Sequence, residues 1–442
     1  MKLNIKNTIF ASLALIIGSI YLQLIDTTVQ IVIVKNLGRT EEVKGIVLGI
    51  IGFLPLILFP IFAKLSDSTK SKRGRRTPFI FIGTVITAAL IISAGVSAFL
   101  GSFLGYAVFF TLSYVGISIY RPAATAVLPD IIPKPLRSKA NAIQGIVTAF
   151  GSLLVIGLVA VFGDKKMLYT YIISGAVMLL VLIIYLFKIN EPKLVREAEA
   201  AMARYTGVSN EAAEKEEKSF ADSGPKGIKF IKTMPKAERK SLILLLLSLA
   251  MCSFGFGAMI STYQNYAHQV WGMTNNAATV FMFLFGLGGL AATPVVIRLS
   301  DKIGRKNTMI AGMSIFIAGI AMIIFLQNVE AMRYIGFAVM GLGWTSVIII
   351  DFPMVLEFSD TLNNGVFASY YTLAYNIPKA LTAYISGVLL TKIGYQILYP
   401  YTMFFASLGL ILIIFVKHGN VVEIKKRAAG DGKAPFSKEL SP

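Results

Sequence analysis

The chain is poor in the residues on which most soluble proteins depend. Only 15% of its 442 residues are charged, whereas a soluble domain carries roughly 25%, and residues 78–120 contain no charged residue at all. Cys252 is the single cysteine, so the chain has no internal disulfide and no site built from several cysteines. The two histidines, His268 and His418, leave no His-based metal cluster. These deficits exclude a soluble enzyme, a disordered protein and a disulfide-rich secreted domain.

Apolar sequence is what the chain has in abundance, at 55% hydrophobic residues. A helix crosses the hydrocarbon core of a bilayer with about 20 apolar residues. The first apolar run is too long for a signal peptide and is predicted to be a retained span. Runs of sufficient length predict an all-α membrane protein with twelve transmembrane helices, at 8–34, 45–63, 78–99, 103–128, 141–162, 169–187, 241–267, 277–297, 308–327, 334–356, 364–390 and 395–416.

The distribution of Lys and Arg predicts the orientation of these spans. If both termini are cytoplasmic, the inner segments hold 33 of the 42 basic residues and the outer loops hold 7. The net charge of +19 then reflects topology and attraction to anionic lipid in the bilayer. The basic residues are dispersed rather than interleaved with aromatics, so nucleic acid is not an expected partner. We expect a monomeric multi-pass protein of a cell membrane, such as a bacterial inner membrane.

A long polar stretch near the midpoint divides the spans into two sets of six. We expect an N-terminal six-helix bundle at 1–187 and a cytoplasmic connector at 188–240. A C-terminal six-helix bundle at 241–416 and a basic cytoplasmic tail at 417–442 follow. The connector is rich in Ala, Glu and Lys and is expected to form surface helices that tether the two bundles.

An internal repeat supports this division. Lys64-Leu65-Ser66-Asp67 follows span two, and six residues separate it from Gly74-Arg75-Arg76. Arg298-Leu299-Ser300-Asp301 follows span eight, and two residues separate it from Gly304-Arg305-Lys306. Parallel repeats of six spans are typical of the major facilitator architecture, and this loop resembles the signature of that superfamily. Glycine permits a tight turn, and paired Asp and Arg can lock neighbouring helix ends in one access state. The predicted gate residues are Asp67, Gly74, Arg75, Arg76, Asp130, Asp301, Gly304, Arg305 and Glu357.

The first copy resembles a narrower group within that superfamily. Residues 66–80, with six residues between Asp67 and Gly74, are similar to the loop of sucrose–proton symporters and their relatives, the glycoside–pentoside–hexuronide cation symporters. Leu22-Gln23-Leu24, Thr28 and Gln30 in span one are similar to a run in the same helix of sucrose carriers. The resemblance implies a transporter rather than an enzyme. Such a transporter moves a sugar together with a proton or sodium ion and needs no other cofactor.

A third match covers the region of spans four and five, and it also holds the main departure. Tyr120-Arg121-Pro122, Leu128-Pro129-Asp130 and residues 133–142 look like the bacterial, sucrose-carrier-like branch of the group. Plant-type sucrose carriers have an acidic proton site in span four, where this chain has Ser113. The proton site of the family therefore cannot be carried over. Coupling would have to use another group.

Ionisable residues inside a membrane span are functional candidates because burying them is costly. Asp26 in span one shares a face with Gln23 and Gln30 and is the predicted coupling site. Arg121, placed beside a helix-disrupting proline, could pair with Asp26 or hold a polar or anionic substrate. The alternative is a static ion pair between the two. Gln144 in span five could join this cluster or form an interhelical hydrogen bond.

The C-terminal half offers a second set of polar residues. Asp351 in span ten and Lys379 in span eleven could form an opposed pair or contact the substrate, and Trp344 could stack on a sugar ring or lie in the interfacial belt. Span seven ends in amide, hydroxyl and aromatic side chains that suit a neutral sugar, and His268 is expected at the outer mouth. The predicted substrate-binding residues are Gln23, Gln30, Gln144, Tyr263, Gln264, Asn265, Trp344, Asp351, Tyr371, Tyr375, Asn376 and Lys379.

The sequence contains no nucleotide-binding loop and no catalytic triad, so transport would have to use a gradient or equilibrate the substrate. The leading hypothesis is proton- or sodium-coupled symport of a sucrose- or maltose-like glycoside. A proton-coupled exporter of drugs or metabolites, an exchanger of anionic sugars and a non-transporting membrane sensor on the same fold are the alternatives.

Overall fold

The computed structural model describes residues 3–133, 136–163, 166–206, 228–359 and 364–418. All regular secondary structure in these ranges is helical, which confirms the all-α prediction. A π-helical segment, Ile31–Asn36, continues α1, and a 3₁₀ turn, Tyr395–Ile397, precedes α14. The α-helices are α1 (Ile5–Gln30), α2 (Glu41–Ser68), α3 (Thr77–Phe99), α4 (Phe103–Ile131), α5 (Arg137–Phe162), α6 (Met167–Lys188), α7 (Glu191–Thr206), α8 (Ile228–Thr233), α9 (Lys236–Trp271), α10 (Asn275–Ile303), α11 (Arg305–Phe325), α12 (Glu330–Leu356), α13 (Asn364–Ile393) and α14 (Leu398–Ile414).

Within the described ranges, eleven helical segments are long and apolar enough to cross a membrane. They match eleven of the twelve predicted spans. The remaining prediction, at 364–390, corresponds to α13, which is a 30-residue helix. Its length is sufficient, but Asn376 and Lys379 in its middle make it less apolar than the others. Large apolar side chains such as Phe187 and Leu104 are exposed on the helix surfaces, as contact with lipid requires.

Three of the helices begin where a side chain satisfies a backbone N–H group of the first turn. Asn4, Thr40 and Ser102 each accept a hydrogen bond from the N–H three residues on, at the starts of α1, α2 and α4. As a result α2 begins at Glu41, four residues before the predicted span. Contrary to expectation, Pro122 does not disrupt α4, which stays helical to Ile131. The Thr125 hydroxyl donates to main-chain carbonyls in that turn.

The chain forms two compact units. Among the described residues, the first contains 3–133, 136–163, 166–206, 257–280 and 380–398, and the second contains 228–256, 281–359, 364–379 and 399–418. Segments of α9, α10 and α13 from the C-terminal half thus belong to the unit that holds the N-terminal helices. The predicted division into two six-helix bundles stays a prediction.

Glycines allow the same pair of spans to pack closely in each half. In the first unit, a Cβ on Gly83 of α3 would lie 2.7 Å from the main-chain oxygen of Gly116 on α4. In the second unit, a Cβ on Gly312 of α11 would lie 3.0 Å from the main-chain oxygen of Gly343 on α12. Backbones approach this closely in membranes only where side chains are small. The packing therefore repeats between spans three and four and spans nine and ten.

The connector is helical where it is described. α7 follows α6 after a two-residue break, and α8 lies just before α9. The surface position and the tethering role expected of these helices stay predictions. Residues 207–227 of the connector and 419–442 of the tail lie outside the described residues, as do Lys134 and Pro135 of the span 4–5 motif.

Candidate functional site

Arg76 is the centre of a charge network at the ends of α2, α3 and α4. Its guanidinium lies 2.5 Å from a carboxylate oxygen of Asp67 and 2.9 Å from one of Asp130, and it donates to Ser66 Oγ at 3.1 Å. Arg75 pairs with the other oxygen of Asp130 at 2.9 Å. Burial alone lowers the pKa of Arg76, but hydrogen bonds and charges from Asp130 and Asp67 outweigh it, so the pKa is raised. The network ties three helix ends together.

Glu191, at the start of α7, completes this network. Its carboxylate is 1% exposed and accepts the backbone N–H groups of Arg76 at 3.0 Å and Thr77 at 2.9 Å, and the Thr77 hydroxyl at 2.7 Å. Those N–H groups belong to the first turn of α3 and lack helical partners, and a negative charge there also favours the helix dipole. Gly74 makes the approach possible: its φ is +106°, and a Cβ on it would overlap the Glu191 carboxylate.

The second copy of the loop has a simpler arrangement. Arg305 pairs with Glu357 at the end of α12 at 2.9 Å, and Lys306 donates to a main-chain carbonyl at the end of α14 at 2.7 Å. Gly304 again has a positive φ, of +88°, and Asp301 is exposed. Burial raises the pKa of the Glu357 carboxyl, and Arg305 only partly opposes the rise. The ion pair of Arg305 thus holds this loop to α12.

A buried polar network joins α1 to the second half of α9. The Gln30 side-chain oxygen accepts the backbone N–H of Gln264 at 3.2 Å, and the Gln30 main-chain oxygen accepts from the Asn265 amide at 3.2 Å. The Gln264 amide donates to Thr279 Oγ1 at 3.2 Å. Tyr263, on the same helix, is fully buried. The structure therefore brings four predicted substrate-binding residues from two halves of the sequence into one cluster.

Glu41 and Lys44, on the first turn of α2, extend this cluster. The two side chains form an ion pair, and they are 3% and 0% exposed. The Asn265 amide and the Tyr395 hydroxyl donate to Glu41 Oε1 at 2.7 and 2.8 Å. The Lys44 ammonium donates to the main-chain oxygen of Ser261 at 2.7 Å. The hydropathy pattern missed both charges because the predicted span began only at residue 45.

Asp26 and Arg121 lie on α1 and α4. Asp26 is half-buried; its charge acts on the Tyr263 hydroxyl, and its main-chain oxygen accepts from the Gln30 amide at 2.6 Å. The Arg121 guanidinium carbon lies 6.0 Å from the centre of the Phe59 ring, within the range of a cation–π contact. The predicted pairing of Asp26 with Arg121 stays a prediction.

The remaining N-terminal candidates have different surroundings. The Gln23 amide nitrogen is buried and has no hydrogen-bond partner among the described residues. Gln144 is half-buried on α5. Ser113 lies 2.7 Å from the Tyr21 hydroxyl and donates to the main-chain oxygen of Phe110 at 2.6 Å. Ser113 is therefore a neutral hydroxyl that is hydrogen-bonded to the Tyr21 hydroxyl and to the main chain of its own helix.

In the second unit, Asp351 is 1% exposed, and its carboxylate is hydrogen-bonded by neighbouring residues. Its carboxylate accepts the backbone N–H of Phe352 at 2.6 Å and the Tyr371 hydroxyl at 3.3 Å. The Tyr371 and Tyr375 rings are stacked with their centres 6.3 Å apart. The Tyr371 hydroxyl thus hydrogen-bonds the carboxylate, and the predicted pairing of Asp351 with Lys379 stays a prediction.

The other C-terminal candidates are less enclosed, apart from Trp344. The Asn376 side chain donates to a main-chain oxygen of its own helix at 3.0 Å, and Lys379 and His268 are half-buried. Trp344 is 3% exposed and stacks on Phe256 with the ring centres 3.9 Å apart. A sugar could stack on that face of Trp344 only if Phe256 moved.

The family model of the Major Facilitator Superfamily matches residues 10–383. The chain belongs to the major facilitator superfamily. It is therefore a membrane transporter and not an enzyme, and the all-helical fold is the fold of that superfamily.

Individual relatives are distant. The chain is 22% identical to the uncharacterized MFS-type transporter YwfA of Bacillus subtilis, over 88% of this chain and 87% of that one. It is 23% identical to the inner membrane transport protein YajR of Escherichia coli, over 39% of this chain and 34% of YajR. It is 24% identical to the lactose permease of Lactobacillus helveticus, over 26% of this chain and 19% of the permease. The matches thus span about a third of YajR and about a fifth of the permease.

Solved structures of superfamily members share the fold. A point mutant of the nucleoside transporter NupG superposes with a TM-score of 0.67 at 11% identity, covering 94% of this chain and 100% of NupG. The inward-open xylose transporter XylE from E. coli gives 0.64 at 15% identity, covering 92% and 94% of the two chains. At this identity the likeness concerns the fold and not the substrate.

Proposed function

We propose that this transporter moves a neutral, hydroxyl-rich solute of the sugar or glycoside class by proton- or sodium-coupled symport. The observation that carries the substrate class is the neutral polar cluster of Gln30, Gln264 and Asn265. Sugars are recognised by several neutral hydrogen bonds next to aromatic surfaces. Lactose permease and XylE, which are named for sugars, are among the similar proteins, and the loop resembles that of glycoside symporters.

Two buried atoms in this region support a hydroxyl-bearing ligand. Neither the Gln264 side-chain oxygen nor the Gln23 amide nitrogen has a hydrogen-bond partner among the described residues. One is an acceptor and the other is a donor, and a buried polar group without a partner is costly. A sugar hydroxyl both donates and accepts, so it can satisfy either atom.

Asp26 is the proposed coupling residue. It is a half-buried carboxylate on α1, the helix that also carries Gln23 and Gln30. A bound proton or sodium ion would neutralise Asp26 and change the field at the neighbouring Tyr263 hydroxyl. Symport follows if the carrier reorients only when both sites are filled or both are empty.

The proposed setting is a cell membrane, with both termini and the connector in the cytoplasm and the protein acting as a monomer. The asymmetry of Lys and Arg supports this orientation. Labelling of single cysteines near residues 70 and 220 from the inner face only would agree with it. Labelling of either position from outside would contradict it.

A proteoliposome uptake screen tests the substrate class. Sucrose, maltose, other glycosides, sugar phosphates and hydrophobic drugs would each be offered with and without imposed proton and sodium gradients. We expect gradient-dependent accumulation of a neutral glycoside. Uptake of sugar phosphates alone would indicate an anion exchanger, and outward movement of drugs would indicate an exporter; either result would overturn the proposal.

The variant Gln264→Leu tests the site within that screen. It removes the unpaired acceptor and should raise the KM for the identified solute about tenfold, equivalent to about 1.4 kcal/mol. Gln269→Leu is the matched control, because Gln269 is exposed on the same helix. An unchanged KM in Gln264→Leu would remove this residue from the site.

The variant Asp26→Asn tests coupling. A permanently neutral side chain mimics the loaded state, so the variant should exchange labelled solute across the membrane but should not concentrate it against a gradient. Accumulation equal to that of the unmodified protein would mean that Asp26 is structural, and Asp351 would be the next candidate.

A further inference from the structure

The first turn of α2 holds an acid and a base that neutralise each other. Glu41 and Lys44 are three residues apart on one helix, and both are buried. Because both belong to α2, the pair moves as one body and stays paired when α2 separates from other helices. Separation of this helix from its neighbours therefore leaves neither charge isolated in an apolar environment.

All the described groups that contact this pair from the C-terminal half are neutral. Glu41 Oε1 accepts from the Asn265 amide and the Tyr395 hydroxyl. The Lys44 ammonium donates to the main-chain oxygen of Ser261 at 2.7 Å and to Thr262 Oγ1 at 3.1 Å. These hydrogen bonds involve a charged group on one side, so they are stronger than neutral ones. Water can replace each of them when the helices separate.

The backbones of α2 and α13 touch beside this pair. A Cβ on Gly45 would overlap the main-chain oxygen of Ala383, and a Cβ on Gly52 would lie 2.5 Å from the Ala380 Cβ. A Cβ on Gly387 would likewise lie 2.5 Å from the main-chain oxygen of Glu41. The contact leaves no room for water between the helices. The first part of α2 is thus in direct backbone contact with α13 at this end of the first unit.

We propose that Glu41 and Lys44 are positioning residues of the transport cycle: together they form a latch that holds the end of α2 closed against α9 and α13 in one access state. The proposal rests on the transport function proposed above. An ion pair kept within one helix makes closure strong through charge-assisted hydrogen bonds. Opening stays accessible because it breaks those bonds without separating the two charges, which would be far more costly in a membrane.

Cysteine accessibility measures the latch without knowledge of the substrate. Ala383 is 4% exposed and would be replaced by Cys in a Cys252→Ser background. Labelling by a membrane-impermeant maleimide would be followed in vesicles of both orientations. We expect Glu41→Gln to raise the labelling rate about tenfold, which corresponds to about 1.4 kcal/mol in the opening equilibrium. The increase should occur only in vesicles in which the loop between α1 and α2 faces the maleimide. Glu42→Gln is the matched control and should leave the rate unchanged.

A second variant separates opening from misfolding. Asn265→Leu keeps the ion pair intact and removes one contact, so it should raise the labelling of Ala383→Cys in the same direction but less. Ala94→Cys, fully buried within α3, should stay unlabelled in both backgrounds. Labelling of Ala94→Cys in the Glu41→Gln protein would show that this variant is misfolded. The latch would then be judged from the labelling of Ala383→Cys in the Asn265→Leu protein.

Parental labelling rates in both Glu41→Gln and Asn265→Leu, or an equal increase in Glu42→Gln, would overturn the latch. Because the assay contains no solute, this failure is distinct from a failure of the sugar screen. If labelling behaves as expected but no sugar is transported, the latch proposal stands and the proposed substrate class is wrong.

Discussion

The two copies of the loop motif start from nearly the same residues but are held in different ways. In the first copy, Arg76 contacts both Asp67 and Asp130, and Glu191 covers the start of α3. In the second copy, Arg305 contacts Glu357, and the N-cap residue of α11, Gly304, provides no side-chain hydrogen bond. The first loop is therefore fixed to three other helices through charge, and the second is fixed mainly to one.

The difference shows that a short motif specifies a turn more strictly than it specifies a network. Both motif glycines have positive φ, because each loop must turn sharply into the next helix. The acids that complete the first network come from elsewhere in the chain. The residues after span six include the acid Glu191. The residues after span twelve are basic, Lys417 and His418, and His418 contacts Ser241 rather than the second loop.

The largest expected effect of breaking this asymmetry comes from Arg76→Met. Arg76 is buried between two carboxylates, so its removal should lower the free energy of unfolding by about 3 kcal/mol, as is common when one partner of a buried pair is lost. Chemical denaturation in mixed micelles would measure the change.

Lys306→Met is the control for that variant, since Lys306 occupies the matching position in the second copy. Its contact is a main-chain carbonyl, so it should cost about 1 kcal/mol or less. Equal losses in the two variants would mean that the two loops are equally fixed.

Glu191→Gln should have the next largest effect. An amide would set its own N–H groups against the backbone donors of Arg76 and Thr77, and the loss should be about 2 kcal/mol of unfolding free energy. Glu197→Gln on the same helix is the control, because Glu197 is 56% exposed. If the two variants unfold at the same denaturant concentration, the cap on α3 has no energetic role.

Asp67→Asn compared with Asp301→Asn sharpens the comparison in transport. Asp67 pairs with Arg76 but is 59% exposed, so its loss should change the balance of access states by about 1 kcal/mol, or about fivefold. Turnover in proteoliposomes should slow accordingly in Asp67→Asn. Asp301→Asn should turn over at the parental rate; slowing of both variants by the same factor would show that the two loops act as equal gates.

The smallest expected effect is a pH dependence from the second copy. The pKa of Glu357 is raised in the folded protein, so the folded state binds that proton more tightly than the unfolded state does. Stability should then fall as the pH rises above the ordinary Glu pKa of about 4.3. Glu357→Gln should flatten this slope in melting curves, and Glu330→Gln, at the exposed start of α12, should not. A slope that is unchanged in Glu357→Gln would assign it to other carboxylates.

Much of the fold could be predicted from hydropathy alone. Apolar runs indicated twelve spans, and the observed helices lie at those positions, because a lipid-exposed backbone must satisfy its own hydrogen bonds as a helix. Helix limits were less accurate: a predicted end at the nearest charge excluded Glu41 and Lys44, although a self-neutralising pair can lie inside a span. Pro122 was also misjudged, because α4 continues as a helix through the proline to Ile131.

The candidate site could be predicted only in part. The residues Gln30, Gln264 and Asn265 were identifiable because amides are unusual inside spans. Their mutual contact was not identifiable, because more than 200 residues separate Gln30 from the other two. Tyr371 and Asp351 were both predicted as substrate residues, but the hydrogen bond between them is a tertiary contact that the sequence did not reveal.

The sequence by itself determined that this protein lies in a lipid bilayer and that it is helical. It also determined the superfamily and the turn at each motif glycine. These properties follow from composition and from interactions between residues close in the chain. The tertiary structure alone decided which acid meets Arg76, that Glu191 covers α3, and that Glu41 and Lys44 face α9. Those partners are set by how helices pack. Packing depends on the shapes of whole surfaces, on glycine contacts such as Gly45 with Ala383, and on the balance of desolvation and charge that only the assembled molecule defines.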